Sequence, residues 1–165
     1  MQMDLFIKLQ NVSLEKERDL KQLELKHNLK FPDEFTQFFI NYELDNFKFK
    51  PEDIDSFVGY QSERINGYVY SEILLSHFCS IFEMENWYEM FFDMDFFNGE
   101  GIQVAISYGS TFIILIANEG SPNYGKVLYY DVEIAPGQCF ILGDTFNEFL
   151  SCVIPIKPKI QQNEM

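Results

Sequence analysis

From residue 101 to residue 142 the sequence consists of short apolar runs separated by turn residues, and this pattern limits the fold more than any other part of the chain. The runs cover residues 102–106, 112–117, 126–130 and 139–142. The pairs Tyr108-Gly109 and Pro136-Gly137 suit the turns between them. The second run is apolar throughout, which favours a central position in a sheet. We therefore predict four consecutive strands.

Two helices are predicted ahead of these strands. Ser13 can cap a helix over residues 14–27, in which acidic residues come early and basic residues late, as the helix dipole favours. Pro32 suits the first position of a second helix. The apolar stripe of that helix has the spacing i, i+3, i+4, i+7 and consists of Phe35, Phe38, Phe39 and Tyr42. Short alternating segments at residues 47–49 and 57–61 predict early strands.

Two further helices are predicted later in the chain. Across residues 71–97 apolar side chains fall on almost every face of a helix, and we interpret the segment as a helix with a break allowed near Asn86. Near the end, Thr145 and Glu148 have the spacing of a capping box. The inward stripe of this last helix consists of Phe146, Phe149, Leu150 and Val153. Pro155 and Pro158 end it.

Helices first, then strands, then one helix is an order typical of an α+β domain with an antiparallel or mixed sheet. The chain has 165 residues, which suits a single domain. We expect its core within about residues 12–154 and a loose tail over residues 157–165. With 18 Phe, 9 Tyr and 1 Trp, the core should be rich in phenylalanine.

Charge is distributed unevenly along the chain. The formal net charge is −14, and between residues 65 and 156 a single basic residue, Lys126, stands against twelve acidic ones. The first 64 residues are closer to balance, with 9 basic and 13 acidic residues. Such a field repels nucleic acid and anionic lipid and attracts basic macromolecules. We therefore expect a basic protein partner, no nucleic acid and no membrane.

The cysteines and the start of the chain predict a cytoplasmic protein. Cys79, Cys139 and Cys152 are odd in number, widely spaced and without a Cys-x-x-Cys pair, as is typical of reduced structural thiols. The first residues lack the positive segment and long apolar segment of a secretion signal. The longest strictly apolar run, residues 112–117, is too short to span a bilayer.

Several blocks of the sequence, in order, resemble a known family. Residues 29–41 read Leu-Lys-Phe-Pro-Asp-Glu-Phe-Thr-Gln-Phe-Phe-Ile-Asn, similar to the opening motif of fungal glucan-synthesis regulators of the Smi/Knr type. Later motifs of that family resemble residues 102–106, 112–117, 125–131 and 144–150. The chain departs from the family where Glu-Leu-Asp-Asn at residues 43–46 replaces Asn-Gly-Gly and where the turn at residues 108–110 has few glycines. With these differences, the chain resembles the SUKH superfamily.

This resemblance implies a fold and a type of function. The fold would have two N-terminal helices, a sheet of about five or six strands and a C-terminal helix. The resemblance also implies that the protein has no enzymatic activity. Bacterial members resemble immunity proteins that bind and neutralise a toxin made beside them, whereas fungal members resemble scaffolds in cell-wall regulation. The leading hypothesis is an immunity protein for a basic toxin, and the alternative is a regulatory scaffold linked to cell-wall assembly or glucan synthesis.

Spacing in the sequence predicts no catalytic or cofactor site. His27 and His77 lie on amphipathic or apolar segments, where structural or surface roles are the simpler interpretation. Acid pairs such as Asp93 and Asp95 recur at i, i+2, but a hard cation needs about six oxygen ligands brought together. The glycines around residue 100 match no phosphate-binding fingerprint. We therefore expect no enzyme, no cofactor and no metal.

The strongest candidate site is an acidic and aromatic segment, residues 83–97, which has two interpretations. In the first, its rings fill the core and its acids face water. In the second, Trp87 and Tyr88 anchor a partner at the surface while the neighbouring acids meet its Lys and Arg side chains, as at binding hot spots. The candidate partner-binding residues are Glu83, Glu85, Trp87, Tyr88, Glu89, Asp93 and Asp95.

Overall fold

Four α-helices and nine β-strands are present in a computed structural model that describes residues 3–66, 71–92, 99–109, 111–133 and 138–157. The helices are α1 (Leu14–His27), α2 (Asp33–Asn41), α3 (Ile81–Phe91) and α4 (Phe146–Ser151). The strands are β1 (Phe6–Lys8), β2 (Tyr42–Phe47), β3 (Phe57–Tyr60), β4 (Ile73–Phe78), β5 (Gly101–Ser107), β6 (Thr111–Ile116), β7 (Val127–Asp131), β8 (Gln138–Gly143) and β9 (Val153–Ile156). The predicted α+β class is confirmed.

Seven strands form one antiparallel sheet in the order β8-β7-β6-β5-β4-β3-β9. β6 lies in its interior, as its apolar sequence predicts. The hydroxyl of Tyr60 on β3 donates a hydrogen bond of 2.6 Å to the carbonyl of Leu142 on β8. Because four strands separate β3 from β8 in the sheet, this contact requires the sheet to curl. β1 and β2 form a separate two-stranded sheet.

The core is rich in phenylalanine, as predicted, and it joins α2, α4 and the sheet. The rings of Phe35 and Phe38 on α2 pack against Phe146 on α4, with centroids 5.1 and 5.4 Å apart. Phe38 also packs against Phe78 on β4, at 4.9 Å. Burying such a side chain contributes about 1.5–3 kcal/mol. The inward stripe predicted for α2 is therefore confirmed at these positions.

Local signals in the sequence located α1, α2 and most of the sheet. α1 begins after Ser13, whose hydroxyl accepts a hydrogen bond of 3.2 Å from the Lys16 backbone N–H, and it ends at His27. α2 begins one residue after Pro32, which is its N-cap. The four strands predicted after residue 101 are β5 to β8. In these elements capping and hydrophobic periodicity agree with the tertiary structure.

Four other predictions are corrected. Residues 73–78 form strand β4 instead of the start of a long helix. Tyr42 begins β2 and does not continue the stripe of α2. Val153 lies in β9, outside the last helix, and Pro155 is tolerated there because β9 is an edge strand. The main sheet accordingly has seven strands where five or six were expected.

Some predictions fall on residues outside those described. They include the acids at positions 93 and 95 and the tail over residues 158–165. Within the described ranges, no helix is both long and apolar enough to cross a membrane.

Candidate functional site

α3 carries most of the predicted site, and it begins at a capping box. The Ser80 hydroxyl accepts a hydrogen bond of 3.2 Å from the Glu83 backbone N–H, and the Glu83 carboxylate accepts one of 3.1 Å from the Ser80 N–H. From there the helix continues to Phe91 without the break allowed near Asn86. The Ser-x-x-Glu spacing at residues 80–83 was visible in the sequence, and it was the signal that separates β4 from α3.

Glu83 is tied to the protein's own residues. Its second carboxylate oxygen lies 2.8 Å from Nε2 of His77 on β4, and Nδ1 of His77 lies 2.9 Å from the Ser76 hydroxyl. Partial burial acts to raise the pKa of Glu83, but the hydrogen bonds with His77 and Ser80 outweigh it and lower that pKa. Glu83 therefore stabilises the start of α3 and its junction with β4.

Trp87 and Tyr88 are buried, at 5% and 8% exposure. Trp87 packs against Phe91 and Phe112, with ring centroids 5.5 and 5.9 Å apart. The Tyr88 hydroxyl donates a hydrogen bond of 3.1 Å to the carbonyl of Gly99, and burial raises the pKa of this phenol. The interpretation that places both rings at the surface as anchors is therefore corrected. These two rings fill the core because they lie on the side of α3 that covers the sheet.

Glu85 and Glu89 lie where α3 meets α1. The Lys26 ammonium on α1 donates hydrogen bonds to both carboxylates, the one to Glu89 measuring 3.2 Å. The hydrogen bond from Lys26 lowers the pKa of Glu85, although some desolvation opposes it. Both carboxylates therefore already share a basic residue of this chain. Asp93 and Asp95 lie outside the described residues.

The apolar side chains that α3 presents to solvent are not the ones predicted. Phe82 is 73% exposed and Met90 is 69% exposed. Asn86 and Glu89 are exposed beside them, and we call these four residues the outer face of α3. The helical period places this face opposite Met84, which is fully buried. α3 therefore carries large apolar side chains on both its inner and its outer side.

Phe82 and Met90 could have been found from the sequence once the start of α3 was known. A helix capped by Ser80 and packed through Trp87 and Tyr88 must turn residues 82, 86 and 90 away from the core. Phe92, just beyond the helix, is 49% exposed and stacks on Tyr88, with ring centroids 6.1 Å apart. The sequence did not show which side of α3 faces the core, because apolar residues occur on all sides of the helix.

No family model, curated protein or solved structure matches this chain. The resemblance to the SUKH superfamily therefore depends on sequence motifs alone. The geometry of α3 is the remaining basis for a function. Its inner rings fix the helix in the core, and its outer face offers exposed apolar side chains beside a carboxylate.

Proposed function

We propose that this chain is a non-enzymatic protein-binding module of the immunity type, which binds a basic toxin and neutralises it. The observation that carries the proposal is the outer face of α3, where Phe82 and Met90 are exposed beside Glu89. Single exposed apolar side chains are common on protein surfaces. Two large ones on the same helix face, with Asn86 between them and Glu89 beside Met90, form an amphipathic surface of the kind that docks a partner.

Electrostatics supports a basic partner. The net charge is −14, and in the sequence from residue 65 to residue 156 only Lys126 is basic. A field of one sign raises the association rate of an oppositely charged protein by about 10- to 1,000-fold at low salt. The same field disfavours nucleic acid as the ligand, because phosphates would be repelled.

The way α3 is held also supports a docking role. Its capping box fixes the first turn, and Trp87 and Tyr88 fix its inner side in the core. A surface on a rigid helix loses little conformational entropy when a partner binds. The resemblance of residues 29–41 and of the later motifs to the SUKH superfamily adds the expectation of an immunity protein.

The experiment uses the product of the adjacent upstream gene as the candidate toxin. Its dissociation constant is measured with the wild-type chain, with a Phe82→Ser/Met90→Ser variant and with a matched Leu14→Ser/Leu25→Ser variant. Leu14 and Leu25 are 75% and 84% exposed on α1, so the control removes a comparable apolar area from a neighbouring helix. We expect the α3 variant to bind at least about 30-fold more weakly, as for loss of a hot spot worth about 2 kcal/mol. The α1 variant should bind like the wild type.

A charge variant tests the electrostatic part of the proposal. Asn86→Lys/Glu89→Lys reverses the polarity of the outer face, so association with a basic toxin should slow and its salt dependence should flatten. Equal weakening by the α1 and α3 variants would reject the docking face. If the neighbouring gene product does not bind and a deletion strain has altered cell-wall properties, the scaffold alternative replaces the immunity function.

A further inference from the structure

A second cluster of functional groups lies where the end of α1 meets α3. It contains His27 from α1 and Glu85 and Glu89 from α3, and one possible ligand atom from each lies within 4.8 Å of the others. His27 is far from the two glutamates in the sequence, so spacing alone could not relate it to them. Only the packing of α1 against α3 brings an imidazole to two carboxylates.

The imidazole of His27 is held in place but its Nε2 atom is unsatisfied. The ring packs against Tyr88, with centroids 4.6 Å apart. Nε2 is buried and has no hydrogen-bond partner among the described residues. The nearest carboxylate oxygen, Oε1 of Glu85, is 3.7 Å away, which is too far for a hydrogen bond. A buried polar atom without a partner is costly, and it indicates an interaction that the protein groups do not supply.

The two carboxylates next to Nε2 already hold a cation. The Lys26 ammonium donates hydrogen bonds to both of them. Its side chain is 58% exposed, so it can move into water and leave the carboxylates free. Glu85 and Glu89 are 31% and 51% exposed, and their side chains can change rotamer more easily than the packed ring of His27. The cluster therefore offers a cation one fixed nitrogen and two adjustable oxygens.

We propose that His27, Glu85 and Glu89 bind a divalent transition-metal ion of the zinc class, which takes the place of the Lys26 ammonium. An imidazole ligand selects zinc-class ions over Mg²⁺ and Ca²⁺, which prefer oxygen ligands alone. In a tetrahedral zinc site with bonds of about 2.1 Å, ligand atoms lie about 3.4 Å apart, whereas the present atoms lie within 4.8 Å of one another, so the glutamates must close in by up to about 1.4 Å. A water molecule completes the four ligands.

A metal at this position links α1 to α3 beside the outer face of α3. Because the ion binds only the folded arrangement, it stabilises the protein as its concentration exceeds the dissociation constant. The site shares Glu89 with the outer face of α3, but all its ligands come from this chain and its assay contains no partner protein. Metal binding and partner binding can therefore succeed or fail separately.

The test titrates the full chain, purified without a polyhistidine tag and stripped with chelator, with Zn²⁺ in a calorimeter. Co²⁺ absorption then reports the coordination number. We expect saturation at one ion per chain. Loss of groups that only support a metal ligand weakens binding about 10- to 100-fold, so removing the ligand itself by His27→Gln should weaken it at least tenfold. Lys26→Met should strengthen binding, because it removes the competing cation.

His77→Gln is the matched control, because it removes the chain's other histidine, which also contacts a glutamate of α3. Its zinc affinity should equal that of the wild type. Glu89→Gln changes an exposed residue and should weaken binding while the circular dichroism spectrum stays native. The proposal is overturned if His27→Gln and His77→Gln bind Zn²⁺ equally well, if Mg²⁺ competes on equal terms, or if Zn²⁺ binding does not saturate at one ion.

Discussion

α1 and α3 lie side by side, and their outer faces differ in charge more than in apolar content. α1 exposes Leu14 and Leu25 beside Arg18 and Lys21. α3 exposes Phe82 and Met90 beside Asn86 and Glu89. Exposed apolar area by itself therefore does not distinguish the two helices. The charge around it does, because Arg18 and Lys21 flank the apolar side chains of α1 whereas Glu89 flanks those of α3, and this difference is why we propose that a basic partner binds α3.

The inner faces of the two helices differ in the opposite way. α1 buries only Leu20 and Leu23, and its remaining positions are polar or exposed. α3 buries Met84, Trp87 and Tyr88. When a helix has a single thin apolar stripe, the sequence shows which face is buried. When large apolar residues lie on both sides, the sequence does not show this. This is why the bounds of α1 were predicted correctly and those of α3 were not.

The largest expected effect is a difference in stability between variants on the inner and outer sides of α3. Met84→Ala removes a fully buried side chain and should lower the free energy of unfolding by about 2–5 kcal/mol. Phe82→Ala removes an exposed one and should change it by less than about 0.5 kcal/mol. Urea unfolding followed by circular dichroism measures both. Similar losses for the two variants would show that Phe82 is packed and that α3 has no free outer face.

A smaller effect concerns the helix caps. Ser13→Ala and Ser80→Ala should each lower the free energy of unfolding by about 1 kcal/mol, because each removes an acceptor for a backbone N–H of the first turn. Ser→Thr at either site keeps the acceptor and is the matched control. Chemical denaturation of the four variants measures the difference.

The two caps differ at the third residue after the capping serine, which is Lys16 in α1 and Glu83 in α3. Glu83 on α3 returns a hydrogen bond to the Ser80 N–H, whereas Lys16 on α1 instead donates to the carbonyl of Tyr42, at 3.0 Å. The effects of Ser80→Ala and Glu83→Ala should therefore be coupled in a double-mutant cycle. For Ser13→Ala and Lys16→Ala we expect additivity. Additive effects at Ser80 and Glu83 would contradict a reciprocal capping box.

The smallest effect is expected at the contact between the helices. Lys26→Met breaks the hydrogen bonds to Glu85 and Glu89, but the groups are solvent-exposed, and such pairs contribute little to stability. We expect the urea midpoint to stay at the wild-type value. Lys21→Met, which breaks the pair with Glu17 within α1, is the control. A clear loss with Lys26→Met alone would mean that this contact holds α3 in place.

For the candidate site, the sequence located the segment but not the side chains that face outward. Glu83, Glu85 and Glu89 belong to α3 as predicted, yet all three contact the protein's own residues. Glu83 contacts His77, and Glu85 and Glu89 both contact Lys26. A one-dimensional pattern cannot separate a ring that enters the core from one that faces water when apolar residues occur on every side. The register of β4 against β5 and the position of α3 on the sheet decide that question.

Local rules alone determined much of this protein. The Ser13 cap, the phenylalanine stripe of α2 and the short apolar runs after residue 101 define elements whose signals come from neighbouring residues. Tertiary structure decided what depends on distant residues: the strand β9, the burial of Trp87 and the meeting of His27 with Glu85. The physical reason is that caps and periodicity act within a few residues, whereas burial and ligand geometry depend on which elements pack together.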